Sequence, residues 1–253
     1  MGKYRTPEKP KGMKNFCNEI DKISAIAGIF KRCESKVPNY IFKLDKGEGR
    51  QTAIKYAAEV LEDAGLLDVS SGPEKFIYIT YDGTSSNYYD NKRTISNAAV
   101  YKNKYTGLIA CEPIALAEQT TSELDESFIS FIGEVGRLAT VFFFVDKCTS
   151  EEEDRLISRI AYTCNARIVY VNDYNISELA DICEERIEKY NVHIDNRNKA
   201  HDVLLQLIKN MNIENPKDAV MLARSMLELV DFDTKSPILK YSKIKSIADK
   251  YCK

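Results

Sequence analysis

The segment from Tyr40 to Leu67 constrains this chain more than any other: an apolar run (Y-I-F-K-L), a turn holding two glycines (D-K-G-E-G), then a stretch with helical periodicity. Strand, glycine turn and helix form the layout in which free N–H groups at a helix start can hold phosphate. The P-loop motif built on it reads G-x-x-x-x-G-K-[ST], with the lysine reaching the outer phosphates and the hydroxyl on Mg²⁺. In that register Leu44 stands at the first glycine and Gly49 at the second. Arg50 replaces the lysine, and Gln51 replaces the Ser or Thr. The layout is kept while the groups that handle charge are changed. Gly47, Glu48, Gly49, Arg50, Gln51 and Thr52 are therefore the candidate nucleotide-binding residues.

The rest of the chain alternates in kind. Phe16, Ile20, Ile23, Ile26, Ala27 and Phe30 recur at helical spacing over Asn15–Cys33, and Pro38 ends that helix before a strand at 40–44. The helix after the glycine turn places Ala53, Ala57, Val60, Leu61 and Ala64 on one face. F-I-Y-I-T-Y at 76–81, the run 107–111, T-V-F-F-F-V at 140–145 and the run 167–171 read as further strands. Helices are expected around Leu124–Val135 and Glu151–Thr163, and residues 82–91 read as a polar loop. Short, continuously apolar strands separated by helices predict a mostly parallel sheet covered on both faces.

From Asp173 onward no further strand is expected. Asn175 with Glu178 is a capping-box pattern ahead of a helix to Tyr190. Val203, Leu204, Leu207 and Met211 form the next stripe, Asn215-Pro216 is an N-cap followed by proline at the first helical position, and a short last helix carries Ile244, Ile247, Ala248 and Tyr251. The expected organisation is a mobile basic N-terminal arm over 1–14, an α/β core over 15–172 and a small all-α lid over 173–253.

A net charge of −2 gives no global attraction to nucleic acid, so no nucleic-acid partner is expected. Seven widely spaced cysteines without a C-x-x-C pair, no secretory pattern and no long apolar span point to a reducing cytoplasm and away from a membrane. Cys111 and Cys148, at or just past strand ends, are expected to be buried and inert. His193 and His201 are the only histidines, fall on separate predicted elements and lack ligand spacing, so no metal site is expected.

Three phrases carry a resemblance. Leu61-Glu62-Asp63-Ala64-Gly65-Leu66-Leu67 echoes L-x-x-x-G-[IVL]-L, Gly107–Pro113 echoes a Walker B strand, and Val171–Ile182 echoes F-x-D-Y-x-x-x-E-L-x-x-I. In these the chain resembles AAA+ ATPases, in particular the CbxX/CfqX family of red-type Rubisco activases and the stage V sporulation protein K group. The resemblance implies a P-loop NTPase-like fold followed by a helical lid.

Several positions depart from that family. Cys111 stands where the Walker B aspartate should be, while Glu112 keeps the place of the carboxylate that activates water. The polar sensor falls near Asp146 or Lys147, the arginine-finger phrase is met only by Ser158-Arg159, and the lid arginine corresponds to Lys217. Tyr88-Tyr89, flanked by Asn87 and Asp90, sits where the family has its aromatic pore loop and reads as an exposed candidate protein interface.

Phosphoryl transfer is positioning plus charge neutralisation, and losing one preorganised group costs roughly 10²–10³ in rate. The reading is a catalytically degenerate AAA+ domain acting as an interaction or regulatory subunit, with Glu112 vestigial and ATP or ADP bound weakly or not at all. Its expected partner is a protein, either an intact AAA+ homologue or another copy of the chain. Two alternatives stand beside it: a slow ATPase completed by a partner subunit, and a nucleotide- or phosphate-sensing module.

Overall fold

The computed structural model describes residues 9–67, 76–97, 107–113, 122–147, 150–230, 232 and 236–251. These form two compact units. The first comprises Lys14–Lys46 and Arg50–Val171 with the segment ending at Pro10; the second comprises Lys11–Met13, Gly47–Gly49 and Asn172–Lys253.

The first unit is built on five parallel strands: β1 (Tyr40–Lys43), β2 (Phe76–Tyr81), β3 (Leu108–Pro113), β4 (Thr140–Val145) and β5 (Arg167–Tyr170). Their order is β2-β3-β4-β1-β5. β1 and β4 are interior and buried at every position, which is why their sequences are mostly apolar or aromatic; the exceptions are Thr140, which donates to Val37 O at 3.1 Å, and Lys43, which pairs with Asp154 at 3.3 Å. Successive side chains pass to opposite faces. Tyr40, Phe42, Phe142 and Phe144 cluster on one face, where Phe16 of α1 (Lys14–Ala25) meets Phe42 edge-on at 4.6 Å between ring centres. Ile41, Ile109, Cys111, Val141 and Phe143 line the other face, under α4 (Ser85–Asn97), α5 (Ser122–Leu138) and α6 (Glu151–Thr163). Asn39 closes the foot of the sheet. Its amide donates to Gly136 O at 2.9 Å and Cys164 O at 2.7 Å, and its Oδ1 accepts from Val141 N at 2.9 Å.

Three expectations for this unit are corrected. The helix expected across 15–33 is two helices, α1 and α2 (Ala27–Arg32), because Ile26 leaves helical geometry at φ −101° and ψ 14°. A β-branched residue followed closely by Gly28 is weak helix material. Ile26 is consequently exposed rather than packed. The polar loop expected over 82–91 is largely α4, whose buried face is Tyr88, Asn91 and Ile95; Asn91 is satisfied by donating to Thr80 O at 2.6 Å. Helices lie on both faces of the sheet as expected, with Arg167, Ile168 and Tyr170 of the edge strand β5 exposed. Finally, α3 (Arg50–Asp63) buries a broader face than its stripe implied, adding Ile54, Tyr56 and Ala58 to Ala53, Ala57 and Leu61.

The second unit holds α7 (Ile176–Glu188), α8 (Arg197–Asn210), α9 (Pro216–Leu227) and α10 (Tyr241–Tyr251). Both N-caps read from sequence are formed: Asn175 and Glu178 make a reciprocal capping box, and Asn215 accepts from Asp218 N with Pro216 next in line. Two expectations change here. Strands do not stop at 173, because β6 (His193–Ile194) and β7 (Ile238–Leu239) pair in parallel. Met211 is exposed, and the buried stripe of α8 is Ala200, Leu204, Leu207 and Ile208. α7 and α8 also bring donor atoms of Asp181, Glu184 and His201 within 4.8 Å of one another, a grouping that histidine spacing did not anticipate.

Of the arm expected over 1–14, residues 1–8 lie outside the described residues. Lys9 pairs with Asp21 at 2.5 Å in the first unit. In the second unit Met13 is buried, and Gly12, at φ +73°, lies so close to the Tyr174 ring that a Cβ would sit 2.2 Å from it. No described helix is long and apolar enough to cross a membrane.

Candidate functional site

In an open parallel sheet, ligands bind outside the carboxyl ends of the strands where the strand order reverses direction. Here that place is between β1 and β4, since the chain leaves β1 toward β2 at one edge and leaves β4 for β5 at the other. The residues following β1, β3 and β4 converge there.

After Leu44 the chain turns through Gly47 (φ +98°) and Gly49 (φ +92°), conformations that L side chains rarely adopt. Both positions therefore demand glycine on backbone grounds. A Cβ on Gly47 would only touch Lys217 at 3.5 Å, an ordinary contact within the second unit. Also within that unit, Glu48 is buried and its carbonyl accepts a hydrogen bond from the Tyr174 hydroxyl at 2.8 Å. Arg50 is the first residue of α3, followed by exposed Gln51 and Thr52.

Arg50 is only 7% exposed, and each nitrogen of its guanidinium is engaged inside the first unit. Nε donates to Leu44 O at 2.7 Å, Nη1 donates to Glu112 Oε1, and Nη2 donates to Asp146 Oδ1 at 2.5 Å. The planar fork suits this three-way recognition in a way that an ammonium does not. Glu112, also 7% exposed, has its second oxygen occupied by the Tyr78 hydroxyl. Burial above all, then the bond to Glu112 and its charge, pushes the Tyr78 phenol well above its ordinary range. Glu112 is thus no solvated carboxylate at a strand end: both oxygens are committed to internal donors.

A reciprocal pair of hydrogen bonds joins the segments that follow β1 and β4. Lys46 N donates to Asp146 Oδ1 at 2.9 Å, and Lys147 N donates to Asp45 Oδ1 at 2.6 Å. Each aspartate follows one central strand and caps the backbone that follows the other. The single guanidinium of Arg50 thus faces two carboxylates, Glu112 and Asp146.

Among the residues singled out from sequence, Arg50, Glu112 and Asp146 are brought together. Cys111 is wholly buried in the core beneath them; burial first, then the neighbouring Cys164 and Glu112 charges, raises its thiol well above its ordinary value. Cys148 lies outside the described residues. Arg159 pairs with Glu126 of α5 and takes no part in the Arg50 network. Tyr88 is corrected: it is buried and meets Phe131 edge-on at 6.0 Å, so of the tyrosine pair only Tyr89, 65% exposed, is a surface residue. Sequence reasoning missed Tyr78 and Asp45. Nothing in the chain marks them, because Tyr78 reaches Glu112 only through the pairing of β2 with β3.

No protein-family model matches the sequence, and no curated protein matches it either. Solved structures do match. The RuvB Holliday junction branch migration motor of Thermotoga maritima aligns at TM-score 0.57 and 14% identity, over 95% of this chain and 70% of that one. Domain III of the replication initiation protein DnaA, also from T. maritima, aligns at TM-score 0.57 and 12% identity, over 98% and 95%. PCH-2 of C. elegans aligns at TM-score 0.58 and 9% identity, over 93% and 68%. At such identities the likeness is one of fold: a five-stranded parallel α/β sheet of the P-loop AAA+ kind.

Proposed function

We propose that this chain is a catalytically silent AAA+-fold domain that serves as a protein-interaction or regulatory subunit, of the CbxX/CfqX type in its lid phrase. The observation that carries the reading is the position of Arg50. It occupies the place of the phosphate-binding lysine, yet its guanidinium is held by Leu44, Glu112 and Asp146. A group neutralised by two carboxylates contributes little to stabilising a triphosphate, and the carboxylate that would activate water is the one neutralising it. Cys111 in place of the Walker B aspartate removes the remaining means of orienting Mg²⁺.

The partner this reading implies is a protein, an intact AAA+ subunit or a second copy of the chain, with Tyr89 as an exposed contact and Lys217 and Asp146 as remnants of sensor positions. The net charge of −2 favours no phosphate backbone as partner. Five described cysteines are unpaired, which fits a reducing cytoplasm.

The deciding experiment measures ATP turnover by the purified chain with and without Mg²⁺, alone and mixed with a candidate AAA+ partner. No turnover by the chain alone is expected. Mg²⁺-dependent hydrolysis abolished by Arg50→Ala would overturn the reading.

One observation favours a second reading. Gly47 and Gly49 have the positive φ of a glycine turn ahead of a 14-residue helix, and free N–H groups at a helix start attract anions. A phosphate-sensing module would then gain stability from ATP or ADP without turnover, by RT ln(1 + [L]/Kd). An unchanged melting temperature at millimolar nucleotide eliminates that alternative.

A further inference from the structure

Among the described residues outside the glycine-turn region, one cluster brings together side chains with metal-binding chemistry. Asp181 and Glu184 lie one turn apart on α7, and His201 lies on α8. One donor atom from each lies within 4.8 Å of the other two. Positions i and i+3 on a helix share a face, so two carboxylates are presented together to the neighbouring helix. His201 Nδ1 stands 2.8 Å from Glu184 Oε1. That contact is a hydrogen bond, and two ligands held at about 2.0–2.2 Å from a tetrahedral zinc-like ion lie roughly 3.3–3.6 Å apart, so the pair need part by less than about 1 Å to share an ion.

The carboxylate is also oriented. Glu184 is 4% exposed at its side chain, and its other oxygen, Oε2, takes Arg197 at 3.2 Å, with Arg197 bridging on to Glu188 at 2.9 Å. Such an outer partner fixes which oxygen remains for an ion. Asp181 is 42% exposed and His201 27%, which leaves a path from solvent. Lys11, 3.8 Å from Asp181, and Arg197 are the cations facing the group. Against Asp181, Glu184 and Glu188 they leave one negative charge, so a divalent ion enters a site that is not already cationic.

The geometry points to Asp181, Glu184 and His201 as the binding site of a divalent transition ion of the zinc class, tying α7 to α8. The mixed nitrogen and oxygen donor set selects such ions over Ca²⁺ and Mg²⁺, which prefer all-oxygen shells. Three protein ligands leave the fourth position for water or a donor from a partner. This site is independent of whether the Arg50 region binds nucleotide.

The test titrates the full chain with Zn²⁺ by calorimetry and with Co²⁺ by visible absorption. The variants are His201→Ala, Asp181→Asn and Cys33→Ser, the last because Cys33 is an exposed thiol that also attracts zinc. Expected are one ion per chain, visible bands of a nitrogen–oxygen site without thiolate charge transfer, and binding weakened about tenfold or more in the first two variants. Cys33→Ser should bind as the parent does. Absence of binding, binding indifferent to His201→Ala, or loss of binding in Cys33→Ser overturns the proposal. Should His201→Ala fail to fold, His201→Gln, which can still donate to Glu184, supplies the comparison.

Discussion

Arg50 and Glu112, 62 positions apart in the chain, form a buried ion pair across the carboxyl ends of the sheet. Breaking such a pair from one side leaves an uncompensated charge, at a cost of about 3–5 kcal/mol. Arg50→Ala and Glu112→Ala should each destabilise the chain on that scale in urea unfolding. The double variant should lose about 0.5–3 kcal/mol less than the sum, because the two act on one interaction. Strict additivity would show that the pair is not coupled.

Arg50→Lys, which restores the motif residue, should still lower stability, since one ammonium cannot reproduce donation to Leu44, Glu112 and Asp146 together. It should not create ATP turnover either, because Cys111 and Gln51 stay in place. An Arg50→Lys variant as stable as the parent and hydrolysing ATP would refute both halves.

Asn39 makes three buried hydrogen bonds to backbone groups of three different segments. Asn39→Ala strands those groups at about 1–3 kcal/mol each before relaxation, so a loss of about 3 kcal/mol or more is expected. A thermal or urea midpoint within error of the parent would show that water replaces the amide freely.

Lys36 supplies a pH dependence. Burial lowers its ammonium from the ordinary 10.5 to about 8, while its Nζ donates to Asn39 Oδ1 at 2.9 Å. Between pH 8 and 10 the unfolded chain therefore binds more protons at this residue than the native one, and stability from this source rises with pH. Below pH 8 the full penalty of burying the charge remains. Lys36→Met should flatten the slope of unfolding free energy between pH 8 and 10. An unaltered slope would show that Lys36 is solvated.

Tyr88 and Tyr89 give a contrast within two residues. Tyr88→Ala empties a core position against Phe131 and should cost about 3–5 kcal/mol. Tyr89→Ala should stay within about 0.5 kcal/mol, and only it is free to weaken a protein contact. Equal effects on stability would contradict the assigned burial.

The parts of the fold legible in the sequence are those where one chain segment carries its own signal. β1 and β4 are mostly apolar because both of their faces are covered, and Asn175 and Asn215 announce their helices through caps that reach the residue three positions on. α4 was illegible because its S-S-N-Y-Y-D-N-K-R-T-I-S-N sequence buries only three side chains, one of them an asparagine. β6 and β7 are two residues each, too short for any periodicity. The site was half legible. The replacement of lysine by Arg50 stands in the sequence, but its meaning depends on Glu112 and Asp146, which strand order alone brings beside it. Along the chain, Arg50 is a lost lysine; in three dimensions it is a cross-tie.

The reciprocal bonds Lys46 N–Asp146 and Lys147 N–Asp45 have a mechanical consequence. Two neighbouring strand tips that brace each other from both sides resist being pried apart, so force applied at one is passed to the other with little give.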